Sequence, residues 1–322
     1  MIELVLALIG PAWAQDAPAD AAPAEPPALS RVADDALFLA ANVEWILDHE
    51  LARALIAEFD LDVPGPEADG TESFASASVS ARHSEREAAE RLVRVAEAWF
   101  RAAERREAGD GDGAADGAAA WFAERDFDPE RAFRVLCVAN GADPALATAA
   151  LPHATVPDGG FDACETDRDL ATETWDVLLG PNALFDDEPP AEVSVTYGPA
   201  EGLEAERAAL EATGALELLA EEAAATHALF EPLAIEARAC GEPSAFHDAE
   251  NRAVVVCYEL VAGLLALRAA GEGDGANDDS AGAGTDDPSN DAPGEGGTDE
   301  GGPDGDGTDG DGAPDANGAL SQ

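Results

Sequence analysis

Sixty-eight acidic side chains against 17 basic ones give this 322-residue chain a formal charge of −51, and every one of the 17 cations is an arginine. Phosphate-directed binding to nucleic acid needs clustered lysine and arginine, so that class is excluded. The absence of lysine also excludes a Schiff base or a P-loop lysine. The charge is unevenly spread. Residues 271–322 hold 15 acids, 15 glycines and no base. They offer too little apolar surface to offset chain entropy, so this tail is expected to be disordered. The other 53 acids and 17 arginines predict a solvated acidic face that repels nucleic acid and anionic membrane.

At the amino terminus a short apolar run, MIELVLALIGPAWA, closes on the small-x-small triplet Ala12-Trp13-Ala14. It reads as a signal peptide over 1–14, followed by a Pro/Ala-rich linker over 15–30. The run is too short to stay as a membrane anchor, and no later stretch reaches spanning length. Export to the periplasm or the medium puts four cysteines in an oxidising compartment. An even count with no CxxC spacing favours disulfides over zinc thiolates. Of the three possible pairings, the most local joins Cys137 to Cys164 and Cys240 to Cys257.

Residues 31–270 read as one α+β domain, mainly helical. Helical periodicity covers 33–59, with Gly65-Pro66 as its stop, then 84–107, 129–139 with Asn140-Gly141 as a stop, and 203–222. Gly109–Gly117 reads as an acidic loop. Alternation over 192–197 predicts a strand. Leu233–Cys240 and Ala253–Cys257, joined by a turn through Gly241, predict a small antiparallel sheet or hairpin feeding a last helix.

The first helix carries Asp48-His49-Glu50-Leu51-Ala52-Arg53. Helical spacing puts 49 and 53 on one face with 50 beside them, the geometry that H-E-x-x-H uses for zinc and a general base. Here Arg53 stands in place of the second histidine. Six segments in order extend the pattern: Ala36–Leu55 (ALFLAANVEWILDHELARAL), Gly65–Ala75 (GPEADGTESFA), Cys137–Pro144 (CVANGADP), Trp175–Pro181 (WDVLLGP), Cys240–His247 (CGEPSAFH) and Cys257–Leu260 (CYEL). In these the chain resembles a family of exported bacterial metallopeptidase-like proteins of the zincin, H-E-x-x-H type.

The resemblance implies a zincin-like fold, zinc as cofactor, and a peptide or protein as substrate or ligand. It implies His49 as a metal ligand, Glu50 as general base, and Glu72 as the third ligand, with Asp69 or Glu67 as alternatives. Guanidinium has no lone pair to give a metal, so Arg53 makes the site degenerate and zinc doubtful. Arg53 is instead expected to pair with Glu50 and Glu72 in the cation's place, giving a weakly active or inactive protein. His247 could complete a working site. A non-catalytic envelope binding or structural role is the further alternative. His83, His153 and His227 lie in charged or Pro-flanked stretches that suit solvated or capping roles.

Overall fold

The computed structural model describes residues 28–108, 114–124, 129–150, 160–164, 167–185 and 189–274. The expected signal peptide, most of the linker, His153 and most of the acidic tail lie outside them.

The first helix, α1 (Ala28–Phe59), is apolar on most of its circumference, and Phe38, Val43, Trp45, Ile46, Leu47, Leu51 and Leu55 are all buried. Such a helix has to lie inside a fold rather than on it. It ends at Phe59, where the periodicity ends, before the Gly65-Pro66 stop is reached. Asp60 takes a left-handed φ of 50°, and Leu61 N–H donates to Ile56 C=O at 3.1 Å, a closure typical of helix ends.

The segment from Gly65 onward, where the periodicity predicts no helix, folds into α2 (Glu67–Arg82), with Gly70–Glu72 and Phe74–Ser80 buried. Its Ala, Ser, Gly and Thr side chains carry almost no apolar period but let α2 approach α1 closely. Trp45 Nε1 donates to Ser76 Oγ at 3.1 Å across that contact. At Gly70 a Cβ would stand 2.3 Å from Val63 Cγ1, and Trp175 Nε1 donates to the Gly70 carbonyl at 3.2 Å.

Then come α3 (Glu85–Ala108), α4 (Ala114–Glu124), α5 (Pro129–Ala142), α6 (Pro144–Ala150) and α7 (Asp167–Leu179). Helix α4 begins inside the stretch expected as a loop, and α5 runs through Asn140-Gly141 instead of stopping there. The single helix expected over 203–222 is two, α8 (Glu204–Thr213) and α9 (Ala215–Thr226), because Gly214 between them adopts φ 65°.

Four strands, β1 (Val193–Tyr197), β2 (Leu233–Arg238), β3 (Ala245–Asp248) and β4 (Ala253–Cys257), form a sheet in the order β1-β2-β4-β3. The sheet is mixed rather than antiparallel. β3 and β4 make the hairpin, with Ala245 opposite Val256, whereas β2 lies parallel to β4, with Ile235 opposite Val254, and β1 lies parallel to β2. The chain reverses twice between β2 and β4, once on each side of β3, which restores its direction. β4 is buried throughout and runs straight into α10 (Tyr258–Asp274). The core lies where α1 meets α2, α3, α9, α10 and the β3–β4 hairpin.

Cys137–Cys164 ties α5 to a short 3-10 turn, and Cys240–Cys257 ties the segment just after β2 to the end of β4. Among the described residues no helix is long and apolar enough to cross a membrane. With all four cysteines paired, the denatured, unreduced protein is expected to show no reaction with Ellman's reagent. Titration of two or four thiols per chain would contradict the pairing.

Candidate functional site

Three consecutive ionisable residues on α1, Asp48, His49 and Glu50, are at most 2% exposed. Burying them requires partners on several sides, because unpaired buried polar groups are costly. His49 has both ring nitrogens engaged. Nδ1 lies 3.2 Å from Glu50 Oε1, and Nε2 lies 2.9 Å from Thr71 Oγ1 on α2. The Thr71 hydroxyl also donates to Ala68 C=O at 3.0 Å. Trp45, one turn before His49, stacks on the imidazole at 5.5 Å between centroids. Glu50 Oε2 accepts the main-chain N–H of His247 at 3.1 Å, so the hairpin packs directly over the motif.

Arg53, one turn on, is 45% exposed. Its Nε stands 3.9 Å from Glu50 Oε2 and 3.6 Å from Glu67 Oε1. The expected pairing of Arg53 with Glu72 is replaced by another. Glu72 Oε1 lies 2.6 Å from the buried Arg131 of α5, Oε2 lies 3.6 Å from Arg134, and Asp69 contacts the same two arginines at 2.9 and 3.2 Å. Among the described residues, His49, Glu50, Glu67, Asp69, Glu72 and His247 nowhere bring three donor atoms within 4.8 Å of one another. As folded, this donor set does not fit a catalytic zinc, which needs three protein ligands and an open position.

The residue just before the His-Glu pair belongs to a buried ion network. Asp48 accepts from Arg82 of α2 at 2.9 and 3.0 Å. The same guanidinium reaches Glu44 at 2.6 Å and Glu222 of α9 at 2.5 Å. Glu44 also takes His83 at 2.8 Å and Arg91 at 2.9 Å. His83 is therefore a hydrogen-bond partner of Glu44, and His227, at the end of α9, is buried rather than solvated. Burial holds the His227 imidazole down at about 4. Thr71, Arg82 and Arg131 are the site residues that sequence reasoning missed. The cue available was that a carboxylate placed on an apolar helix face needs a donor from elsewhere.

Electrostatics follow from that enclosure. Burial pushes the Asp48 carboxyl up to about 7 against the pull of Arg82. It also pushes Glu72 up to about 7 against Arg131 and Arg134. Burial acts upward on Glu44 too, but hydrogen bonds from His83 and Arg82 outweigh it and hold the carboxyl below its ordinary value. Burial lowers the His247 imidazole, outweighing the attraction of Glu50. Neither His49 nor Glu50 lines any of four cavities of about 220 to 620 Å³ formed by described residues.

Two outcomes follow. Arg53→Ala is expected to change stability by no more than about 0.5 kcal/mol, as for exposed pairs. Arg82→Ala, which strands buried carboxylates, is expected to cost about 3–5 kcal/mol in denaturant unfolding; equal effects would contradict this division. Asp48 and Glu72 hold protons more tightly folded than unfolded. Each therefore adds stability that is fully present below the ordinary carboxyl pKa and is lost as pH rises through about 7. Wild type is expected to melt higher at about pH 6 than at about pH 8, and Glu72→Gln to show a smaller difference. Identical differences would argue against a raised Glu72.

No curated protein and no solved structure matches the chain. A family profile does match, that of DUF4344, described as putative metallopeptidase, over residues 31–179 and 198–283. These ranges hold every residue of the site just built, from Asp48 and His49 to His247, and most of the chain, which thus belongs to this putative metallopeptidase family.

Proposed function

We propose that this protein is an exported member of its family whose motif site has exchanged catalytic zinc for arginine and hydrogen-bond partners, and which acts by binding peptide rather than by cleaving it. One observation carries the reading. The side chains that zinc would need are already engaged, His49 by Thr71 and Glu50, and Glu72 by Arg131. Position 53, where a second imidazole would sit, offers a permanently protonated guanidinium that cannot donate a lone pair.

The family suggests zinc. At this site zinc would have to displace a hydrogen bond from His49 and a buried ion pair from Glu72, then bind beside a fixed positive charge. Removing one partner of a buried pair is strongly unfavourable. The motif pair is also almost wholly enclosed, leaving a scissile peptide bond no surface from which to reach Glu50. Export is supported by the apolar amino-terminal run and by two disulfides, which persist in oxidising compartments.

His247 gives the competing reading its footing, because its main chain already touches Glu50. Zinc analysis of protein purified without chelator separates the two. Wild type is expected to carry substoichiometric zinc. Arg53→His alone should gain little, because Arg131 still holds Glu72, whereas Arg53→His combined with Arg131→Gln should bind zinc. One zinc per wild-type chain, with cleavage of casein, would overturn the proposal in favour of an active peptidase completed by His247.

A further inference from the structure

Helices α2 and α7 and the end of α9 line a cavity of about 260 Å³, room for one small ligand. Phe74 and Trp175 meet there edge to face, 4.8 Å between ring centroids, and Ala77 and Leu179 extend the apolar surface. Trp175 and Leu179 come from the WDVLLGP segment of the family pattern, which the motif site leaves unused. The walls are tied together beside His227. Leu184 N–H donates to Thr226 C=O at 3.0 Å and Ala228 N–H to Asn182 C=O at 2.9 Å, which bridges the chain after α7 to the end of α9.

Two buried polar side chains of the lining have hydrogen-bonding capacity unspent. His227 is 7% exposed, and its Nδ1 is buried with no hydrogen-bond partner. Ser78 is 8% exposed, and among the described residues its hydroxyl makes no hydrogen bond. The other two hydroxyls of the lining are satisfied within their own helices, Thr172 by Arg168 C=O at 3.1 Å and Thr226 by Glu222 C=O at 2.7 Å. Leaving a buried polar group unmet is costly, so a ligand that meets it gains affinity. Burial keeps the His227 imidazole neutral, and a neutral imidazole, like a serine hydroxyl, can both donate and accept. Charge is not what this lining calls for. No arginine of the described residues lines the cavity, so an anion would meet no counter-charge. A cation would find Glu222 already held by Arg82 at 2.5 Å and Asp176 exposed to water, where an ion pair contributes little.

We propose that this cavity binds an uncharged aromatic ring bearing a hydroxyl, a phenol or the tyrosine side chain of a peptide, with the ring on Phe74 and Trp175 and the hydroxyl exchanging hydrogen bonds with His227 and Ser78. A hydroxyl is the smallest group that donates to one partner while accepting from another. An aromatic body suits the walls, because ring pairs gain more than their buried area alone provides. The site is separate from His49 and Glu50, and the proposal holds whether or not zinc binds there.

Nuclear magnetic resonance titration of the full chain tests this through the indole N–H of Trp175, identified by its loss in Trp175→Phe. The ligands are p-cresol, toluene, 4-methylbenzoate and N-acetyl-tyrosine amide. p-Cresol is expected to shift the Trp175 resonance saturably. Toluene, which lacks the hydroxyl, and 4-methylbenzoate, which carries a charge, should bind about tenfold more weakly or worse. Ser78→Ala, which removes one hydroxyl and adds no volume, should weaken p-cresol by about fivefold and leave toluene unchanged. His227→Leu should act in the same way, and Ser78→Ala keeps the test in force should that variant fail to fold. Binding of N-acetyl-tyrosine amide at least as tight as p-cresol supports the proposal with a peptide as the source, and binding of p-cresol alone supports it with a free phenol. The proposal is overturned if p-cresol leaves the Trp175 resonance in place, if toluene binds as tightly, or if Ser78→Ala binds p-cresol as wild type does.

Discussion

A helix that buries Asp48, His49 and Glu50 in succession points polar groups in three directions at once, about 100° apart around its axis. No single neighbour can satisfy all three. The fold supplies one element to each: Arg82 of α2 bridging toward α9 for Asp48, Thr71 of α2 for His49, and the main chain of β3 for Glu50. The placement of α2, α9 and the β3–β4 hairpin around α1 is thus the arrangement in which this short stretch can be buried at all. Loss of any one enclosing element would leave an uncompensated charge or donor in the core, which is far costlier than the loss of an ordinary packing contact.

Zinc and arginine can both neutralise a carboxylate between helices, but they leave different chemistry behind. Zinc keeps a coordination position for water and lowers that water's pKa toward neutrality. A guanidinium keeps nothing comparable. Its five donors are directed at acceptors, and its proton is not available at working pH. With Arg131 across Asp69 and Glu72, and Arg53 at the rim near Glu50 and Glu67, the acidic groups of the motif region are held by charges that bind but do not activate. Glu50 meanwhile spends its two oxygens on His49 and on the His247 amide, which fixes the hairpin in place.

Most of the helical frame was legible in the sequence because its signals are local. Apolar periodicity marks α1 and α3, Pro129 opens α5, and alternation marks β1. The order of six motif segments identifies the family, since each sits on a separate element that the fold has to bring together. What was not legible depends on distance in the chain. Helix α2 is built from Ser, Ala, Gly and Thr, whose burial comes from close approach to α1 rather than from hydrophobicity, so it has no period to read. Gly214 lies inside the single helix expected over 203–222 and is a break because the chain there turns left-handed. The parallel pairing of β2 with β4 needed the short β3, four residues with no strong pattern. Arg53 was expected to hold Glu72 in the metal's place, whereas the structure brings Arg131 from 59 positions further along.

The same geometry gives a reason for a composition with arginine and no lysine. The acidic excess means that cations are scarce, and each buried one has to serve several carboxylates. Arg82 meets Glu44, Asp48 and Glu222, Arg268 meets Asp34, Asp35 and Glu97, and Arg131 meets Asp69 and Glu72. A planar fork with five fixed donors can bridge carboxylates on different helices with a directed contact to each. A lysine ammonium is a compact, strongly hydrated point charge on a flexible stem and would cost more to bury for fewer such contacts. In this chain arginine is the residue that lets acidic helices pack against one another, as Arg131 of α5 does with Asp69 and Glu72 of α2.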